Sequence, residues 1–378
     1  MKMSTRPSPV RACRNALGAL GVLAVALALD VGLARLVPDA SLRLLLMTTA
    51  CNVLVAVSLN VINGLAGQLS IGHAGFVGVG AYTSAIVASQ LHAHLGGGEA
   101  TLLRSFLIVP PALVAAAIVA GIFGVVVGLP SLRLRGDYLA IVTLGFAEIF
   151  RLSIASAAAS GAGASTPWWS LSRLGGPNGY AGPSSATNGA QGVPLYAGPF
   201  WIVSVVALMV VLAWRLKFSG WGRALRALRE DEVAAAAVGV DPTRYKVTSF
   251  VIAAVGGGVA GALVALMRDG APTVQPDTFG FQASFEAITM VILGGSGSVT
   301  GAALGAVVLT LGVKVIEYVQ TTDVVQHLGG GVDLNALRMI AYGALVIGLM
   351  IARPEGLLGE RELFQLFERF KRARARRA

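Results

Sequence analysis

Of the 378 residues, 55% are hydrophobic and 13% are charged, about half the charged share of a soluble domain, and the mean hydropathy is +0.73. These figures exclude a soluble globular enzyme, a disordered chain and a nucleic-acid binder. The net charge of +10 comes from basic residues at the edges of apolar runs, the pattern of a polytopic membrane protein.

In chain order, residues 1–15 form a basic stretch carrying Lys2, Arg6, Arg11 and Arg14. An apolar run from about Ala16 to Val37 reads as a first span with a cytoplasmic N-terminus. The small residues around Gly32-Leu33-Ala34 leave a cleaved signal peptide as the alternative. Further runs lie at about 42–62, 71–91, 105–129, 137–156, 198–216, 247–267, 301–319 and 336–352. A shorter one near 283–293 ends in Gly294-Gly295-Ser296-Gly297-Ser298. As a helix it reaches about half the hydrocarbon thickness, so a broken or half-spanning helix is expected there, enclosed by protein or lining a cavity.

Two connections stand out. The loop at about 157–197 is rich in Gly, Ser, Pro and Asn and carries Arg173 as its one charge; loops of this length are functional or tolerated insertions. The loop at about 217–246 has helical character. Trp221, Leu225, Leu228 and Ala235 recur on one face, with Arg223, Arg226 and Glu230 on another. A short amphipathic helix ending near Gly239 is expected. It lies either on the anionic lipid surface or against a cytoplasmic partner. The acids Glu230-Asp231-Glu232 weigh against the lipid.

Alternating ten spans from an inside N-terminus puts most of the 29 Lys and Arg on one side. Four precede the first span, Arg133 and Arg135 lie between the fourth and fifth, seven lie between Arg215 and Lys246, and eight follow residue 352. Both termini are therefore expected in the cytoplasm, with residues 16–352 as the membrane domain and 353–378 as a basic tail.

Catalytic chemistry finds little support. His73, His92, His94 and His327 form no zinc-protease pattern, and His92-Ala93-His94 reads as a solvated pair rather than a metal site. The cysteines Cys13 and Cys51 make no disulfide framework. No Gly-Lys pair exists, so the chain holds no P-loop and no cofactor of its own is expected. Charges within apolar runs are costly unless paired. They include Asp30, Glu286, Asp137 and Glu148 on one face of a helix, and Lys314 with Glu317 at pairing distance along another. The stretch from Asn60 to Tyr82 adds Asn, Gln, Ser and His side chains at membrane depth, with glycines that allow close backbone approach. His73 alone reads as a packed structural histidine.

These residues carry a resemblance. The stretch NGLAGQLSIGHAGFVGVGAY (63–82) resembles the Gly-rich early segment of branched-chain amino acid ABC-importer permeases, the LivH/LivM family. LRLRGDYLAIVTLGFAEIFR (132–151), GRALRALREDEVAAAAVGVDPTRYKVTSFVIAA (222–254) and SFEAITMVILGGSGSVTGAALGA (284–306) are similar to its longer, LivM type, in the same order. The resemblance implies an all-α polytopic bundle of about ten segments with a cytoplasmic coupling helix, sited in a bacterial inner membrane. It also implies a second permease subunit of the shorter type, two cytoplasmic ATPase subunits, a periplasmic solute-binding protein and surrounding membrane lipid.

On this reading Gln68, Ser70, His73, Tyr138, Thr143 and Glu148 lie near the translocation pathway, and Gly294, Gly295 and Gly297 form a hinge-like break. Arg223, Arg226, Glu230, Glu232 and Gly239 form the ATPase-docking surface, with Glu232, Ala234, Ala235 and Gly239 at the positions of the family's docking element. The alternatives are the same machinery carrying urea, short amides or another small polar solute, and a proton-coupled secondary transporter using Asp137 and Glu148.

Overall fold

The computed structural model describes residues 37–98, 101–131, 138–157, 174–182 and 192–320, with shorter stretches outside these ranges. Ten helices within these residues are labelled in chain order. Helix α1 (Ala40–Asn60) is capped by Asp39, whose carboxylate accepts the Ser41 N–H at 2.9 Å, and it continues as a wider π turn over Val61–Leu65. Then come α2 (His73–His94), α3 (Leu102–Ser131), α4 (Tyr138–Ala155) and α5 (Pro199–Phe218). Helices α6 (Gly220–Glu230) and α7 (Glu232–Ala237) are short, and α8 (Pro242–Ala265) is long. Helices α9 (Phe281–Gly294) and α10 (Val299–Gln320) flank the glycine-rich break.

Among the described residues, six helices are long and apolar enough to cross a membrane: α1 with its π turn, α2, α3, α4, α5 and α8. Helix α9 has 14 residues, about 21 Å of rise, longer than the half-length element expected but still short of a full span. The expected first and last spans lie largely outside the described residues, as do Asp137, Arg173, His327, Cys13 and the side chain of Glu317. The fold is all-α and polytopic; the one strand pair among the described residues joins 184–185 to 189–190.

Burial sorts the helices into layers. About 72% of the α2 span is buried inside the protein, against 22% of α5 and 28% of α3. Helix α2 is central because its small residues admit α8 to backbone contact. A Cβ on Gly80 would sit 1.9 Å from the Gly258 carbonyl oxygen, and one on Gly261 would sit 1.8 Å from that of Val77. In lipid this close packing replaces the hydrophobic effect as the force between helices. The outer helices instead expose large apolar side chains such as Leu103, Ile118 and Leu208, as a bilayer requires. Asp30, placed by sequence in the first span, is buried and faces the Arg268 guanidinium at 3.4 Å.

The described part of the 157–197 loop is built into the bundle. Tyr180 and Val274 exchange two backbone hydrogen bonds at 2.9 Å, and Ala197 accepts from Arg268 N–H at 2.9 Å while donating to Leu266 at 2.7 Å. Tyr196 is buried and its hydroxyl meets His92 Nδ1 at 2.7 Å. The loop thus covers the connection that follows α8.

Candidate functional site

Polar chemistry concentrates at the end of the bundle where α5 leads into α6. There the segment 295–298 separates α9 from α10. Gly295 and Gly297 have φ of 110° and 91°, values that glycine alone adopts without strain. Gly294 meets the Gly301 backbone so closely that an added Cβ would lie 2.1 Å from its carbonyl oxygen. The two helices therefore fold back on each other as a tight hairpin.

Three elements hold this break. The buried Asn60 at the end of α1 donates to the Ser298 carbonyl at 3.0 Å and accepts the Gly297 N–H at 2.9 Å. From α6, Arg229 donates to the Gly64 carbonyl at 2.9 Å, and its stem fills the space a Cβ on Gly67 would need. The third element is the start of the basic tail. Leu357 and Leu358 donate to the carbonyls of Leu293 and Gly294 at 2.8 and 3.2 Å, satisfying acceptors that a helix end leaves open.

Glu362 completes the node. Its fully buried carboxylate accepts the N–H groups of Val299 and Thr300, each at 3.0 Å, and the Thr300 hydroxyl at 2.6 Å. These are the orphan donors at the positive end of α10. Lys217, buried at the end of α5, forms an ion pair with the same group. Burial alone would raise this carboxyl's pKa, but Lys217 and the bonds from Thr300 and Val299 outweigh it and hold it below the usual carboxylate range.

The residues assigned to the pathway fall into two groups. Gln68, Ser70, His73 and Thr143 are buried together around the non-helical link between α1 and α2. Ser70 donates its N–H to Asn63 Oδ1 at 3.1 Å, and Ile71 donates to the Thr143 hydroxyl at 3.1 Å. His73 Nε2 meets Ser58 Oγ at 2.9 Å, and a Cβ on Gly257 would touch the ring. Gln68 Oε1 is buried without a protein partner among the described residues.

Tyr138 and Glu148 lie elsewhere. Tyr138 is 67% exposed at the start of α4, on a face that also shows Ile141 and Ile149. Glu148 Oε2 pairs with Arg151 at 2.8 Å while Oε1 accepts the Phe281 N–H at 2.9 Å, and Arg151 also reaches Asp277 at 2.8 Å. This set ties α4 to the start of α9.

The expected single coupling helix is two. Asp231 ends α6, and its carboxylate accepts the Val233 and Ala234 N–H groups at 2.8 and 3.0 Å, starting α7 on a new axis. Leu225, Leu228 and Ala235 are buried, while Arg223, Arg226, Glu230 and Glu232 are exposed. Gly239, with φ 89°, turns the chain toward α8, and Glu232 pairs with Lys246 at 2.7 Å. Val233 and Val238 stand 79% and 80% exposed beside these charges. Sequence reasoning passed over Asn60, Lys217, Arg229 and Glu362 as functional residues. For Asn60 the polar stretch was a signal; for the other three the partners are distant in the chain, 145 residues between Lys217 and Glu362, 165 between Arg229 and Gly64, and 62–64 between Glu362 and the start of α10.

A helical bundle of long apolar spans, with a glycine break wired to an exposed helix pair at one end, is the architecture of a multi-pass membrane protein. Residues 41–352 match the family described as branched-chain amino acid transport system, permease component, and the chain belongs to that family. It is 34% identical over 334 residues to the high-affinity branched-chain amino acid transport system permease protein LivM of Salmonella typhimurium, covering 82% of this chain and 68% of the relative. LivM of Escherichia coli is 34% identical over 325 residues with the same coverage. LivH of Salmonella typhimurium is 25% identical over 313 residues, covering 82% of this chain and 92% of the relative. No solved structure matches this chain. The protein is a permease subunit of an ABC importer and one component of a larger transport assembly.

Proposed function

We propose that this chain forms half of a pathway that imports an aliphatic amino acid across the bacterial inner membrane. A second, shorter permease supplies the other half, a periplasmic binding protein delivers the solute, and two cytoplasmic ATPase subunits press on α6 and α7. ATP is bound by those subunits, since this chain lacks the Gly-Lys pair of a P-loop. The distribution of basic residues supports α6, α7 and both termini in the cytoplasm.

The observation that carries the reading is Arg229. It belongs to the exposed helix pair, yet it holds the Gly64 carbonyl in the π turn after α1. From there Asn60 reaches the break at Gly297 and Ser298. Displacing α6 therefore strains the hairpin of α9 and α10, a discrete element of the kind that passes nucleotide-driven motion to packed spans. The solute assignment rests on the relatives, LivM and LivH, which belong to high-affinity branched-chain amino acid transport systems.

The test uses the reconstituted complex. Glu232→Ala and Gly239→Val should each lower ATP-driven leucine uptake at least tenfold, while the binding protein keeps its affinity for leucine. Unchanged uptake removes the docking assignment. Uptake of urea or a short amide in place of leucine removes the solute assignment and leaves the coupling intact.

A further inference from the structure

A cavity of about 370 Å³ lies among α1, α9 and α10, apart from the node described above. Its size falls in the range of small-molecule sites. Its floor lies level with the hydrogen bond from Asn52 Nδ2 to Thr310 Oγ1, 3.0 Å long, which joins α1 to α10 near mid-span. From there the lining runs to Ser41 at the start of α1, about 16 Å along the helix. That is the end of the bundle remote from α6 and the break.

The lining chemistry is mixed in a specific way. Glu286 on α9 and Lys314 on α10 both line the cavity, a carboxylate and an ammonium from two different helices. Leu44, Leu45 and Val313 line it as well. Charged groups within spans are costly and mark solute or ion routes when they face a cavity. One carboxylate, one ammonium, an amide with a hydroxyl, and branched aliphatic walls complement one class of small molecule. That class carries its own ammonium and carboxylate on an aliphatic body.

We propose that this cavity is a binding station for a free zwitterionic aliphatic amino acid, with Glu286 receiving its ammonium, Lys314 its carboxylate and the leucine-lined wall its side chain. The station rests on the importer reading above and deepens it. It lies on the side to which the binding protein delivers, and the Asn52–Thr310 contact closes it toward the cytoplasm. Neither a proton nor a nucleotide enters the assignment.

The experiment uses the full complex in proteoliposomes, with Cys51→Ser and Thr48→Cys, since Thr48 lines the cavity. A membrane-impermeant methanethiosulfonate is applied from the binding-protein side, and leucine uptake is measured in parallel. L-Leucine should slow modification at least fivefold. 4-Methylpentanoate, which lacks the ammonium, and 3-methylbutylamine, which lacks the carboxylate, should slow it less than twofold. Glu286→Gln and Lys314→Gln should each abolish protection by leucine, while Glu286→Asp and Lys314→Arg retain it and report on folding.

Modification at one rate with and without leucine, or none at all from that side, overturns the station while uptake by the same complex leaves the importer reading in place. Protection that survives both glutamine variants overturns the assignment of the two charges. A complex with wild-type α1, α9 and α10 that takes up no leucine defeats the importer reading itself, and the station with it.

Discussion

At Glu362 a carboxylate with no exposed surface meets five donors: the Lys217 ammonium, the N–H groups of Val299 and Thr300, and the hydroxyls of Ser298 and Thr300. Removing one partner of such a buried pair costs about 3–5 kcal/mol, because the other charge is left uncompensated. Glu362→Gln should therefore release the tail from the break. Hydrogen–deuterium exchange of residues 356–363 should quicken at least tenfold, and unchanged exchange would show that the carboxylate does not hold the tail. The pH dependence follows from the lowered pKa. A carboxyl whose folded value lies below its free value, about 4.3 for Glu, stabilises docking fully above that free value and loses the contribution as pH falls through the folded value. Protection corrected for intrinsic exchange should stay level from about pH 7 to pH 5 and fall on further acidification, and the glutamine variant should show no such step. No local pattern announces this residue. Its tail is a run of charges, and the meaning of one acid among them comes from two helix ends far away in the chain.

Helices whose role follows from their own composition were legible in the sequence. The long apolar runs at α1 to α5 and α8 correspond to helices, and the short run before Gly294 is a short helix. Periodicity also identified the buried face of α6 through Leu225 and Leu228. It did not separate α6 from α7, because the acids at 230–232 read as a charge cluster, whereas Asp231 acts as a cap. Its side chain satisfies two N–H groups that an unbroken helix would have bonded to carbonyls. Asp231→Ala should cost about 1 kcal/mol at that end. Amide exchange across 232–237 should rise several-fold while 220–228 stays as it was. A uniform rise over both helices would mean that the pair melts as one unit and that the cap is not what divides them. The depth of α2 in the bundle was less legible. Its glycines announce close approach, but only the partner backbone at Val77–Gly80 and Gly258–Gly261 shows which helix comes close.

For the whole molecule, one asymmetry organises the rest. The end carrying α6, α7, the break and the tail holds Lys217, Arg229, Arg223 and Arg226, and the opposite end holds the loop that packs on the link after α8. A motor that consumes ATP can act on the first end only if that end faces the cytoplasm. Val233 on α7 and Val238 just after it are the most exposed large apolar side chains of that helix pair, and a partner covering α7 would bury both. A cysteine at Val238, in a chain whose Cys13 and Cys51 are replaced by serine, should resist an impermeant maleimide in intact cells and react in inverted membrane vesicles. Adding the ATPase subunits to stripped vesicles should slow that reaction at least fivefold. Reaction in intact cells would turn the bundle over, place the helix pair opposite any ATP-driven partner, and break the line from Arg229 through Gly64 and Asn60 to the hairpin. Reaction from the inside with no protection by the ATPase subunits would keep the orientation and move the docking surface off α7, leaving the exposed arginines of α6 as the face on which the motor bears.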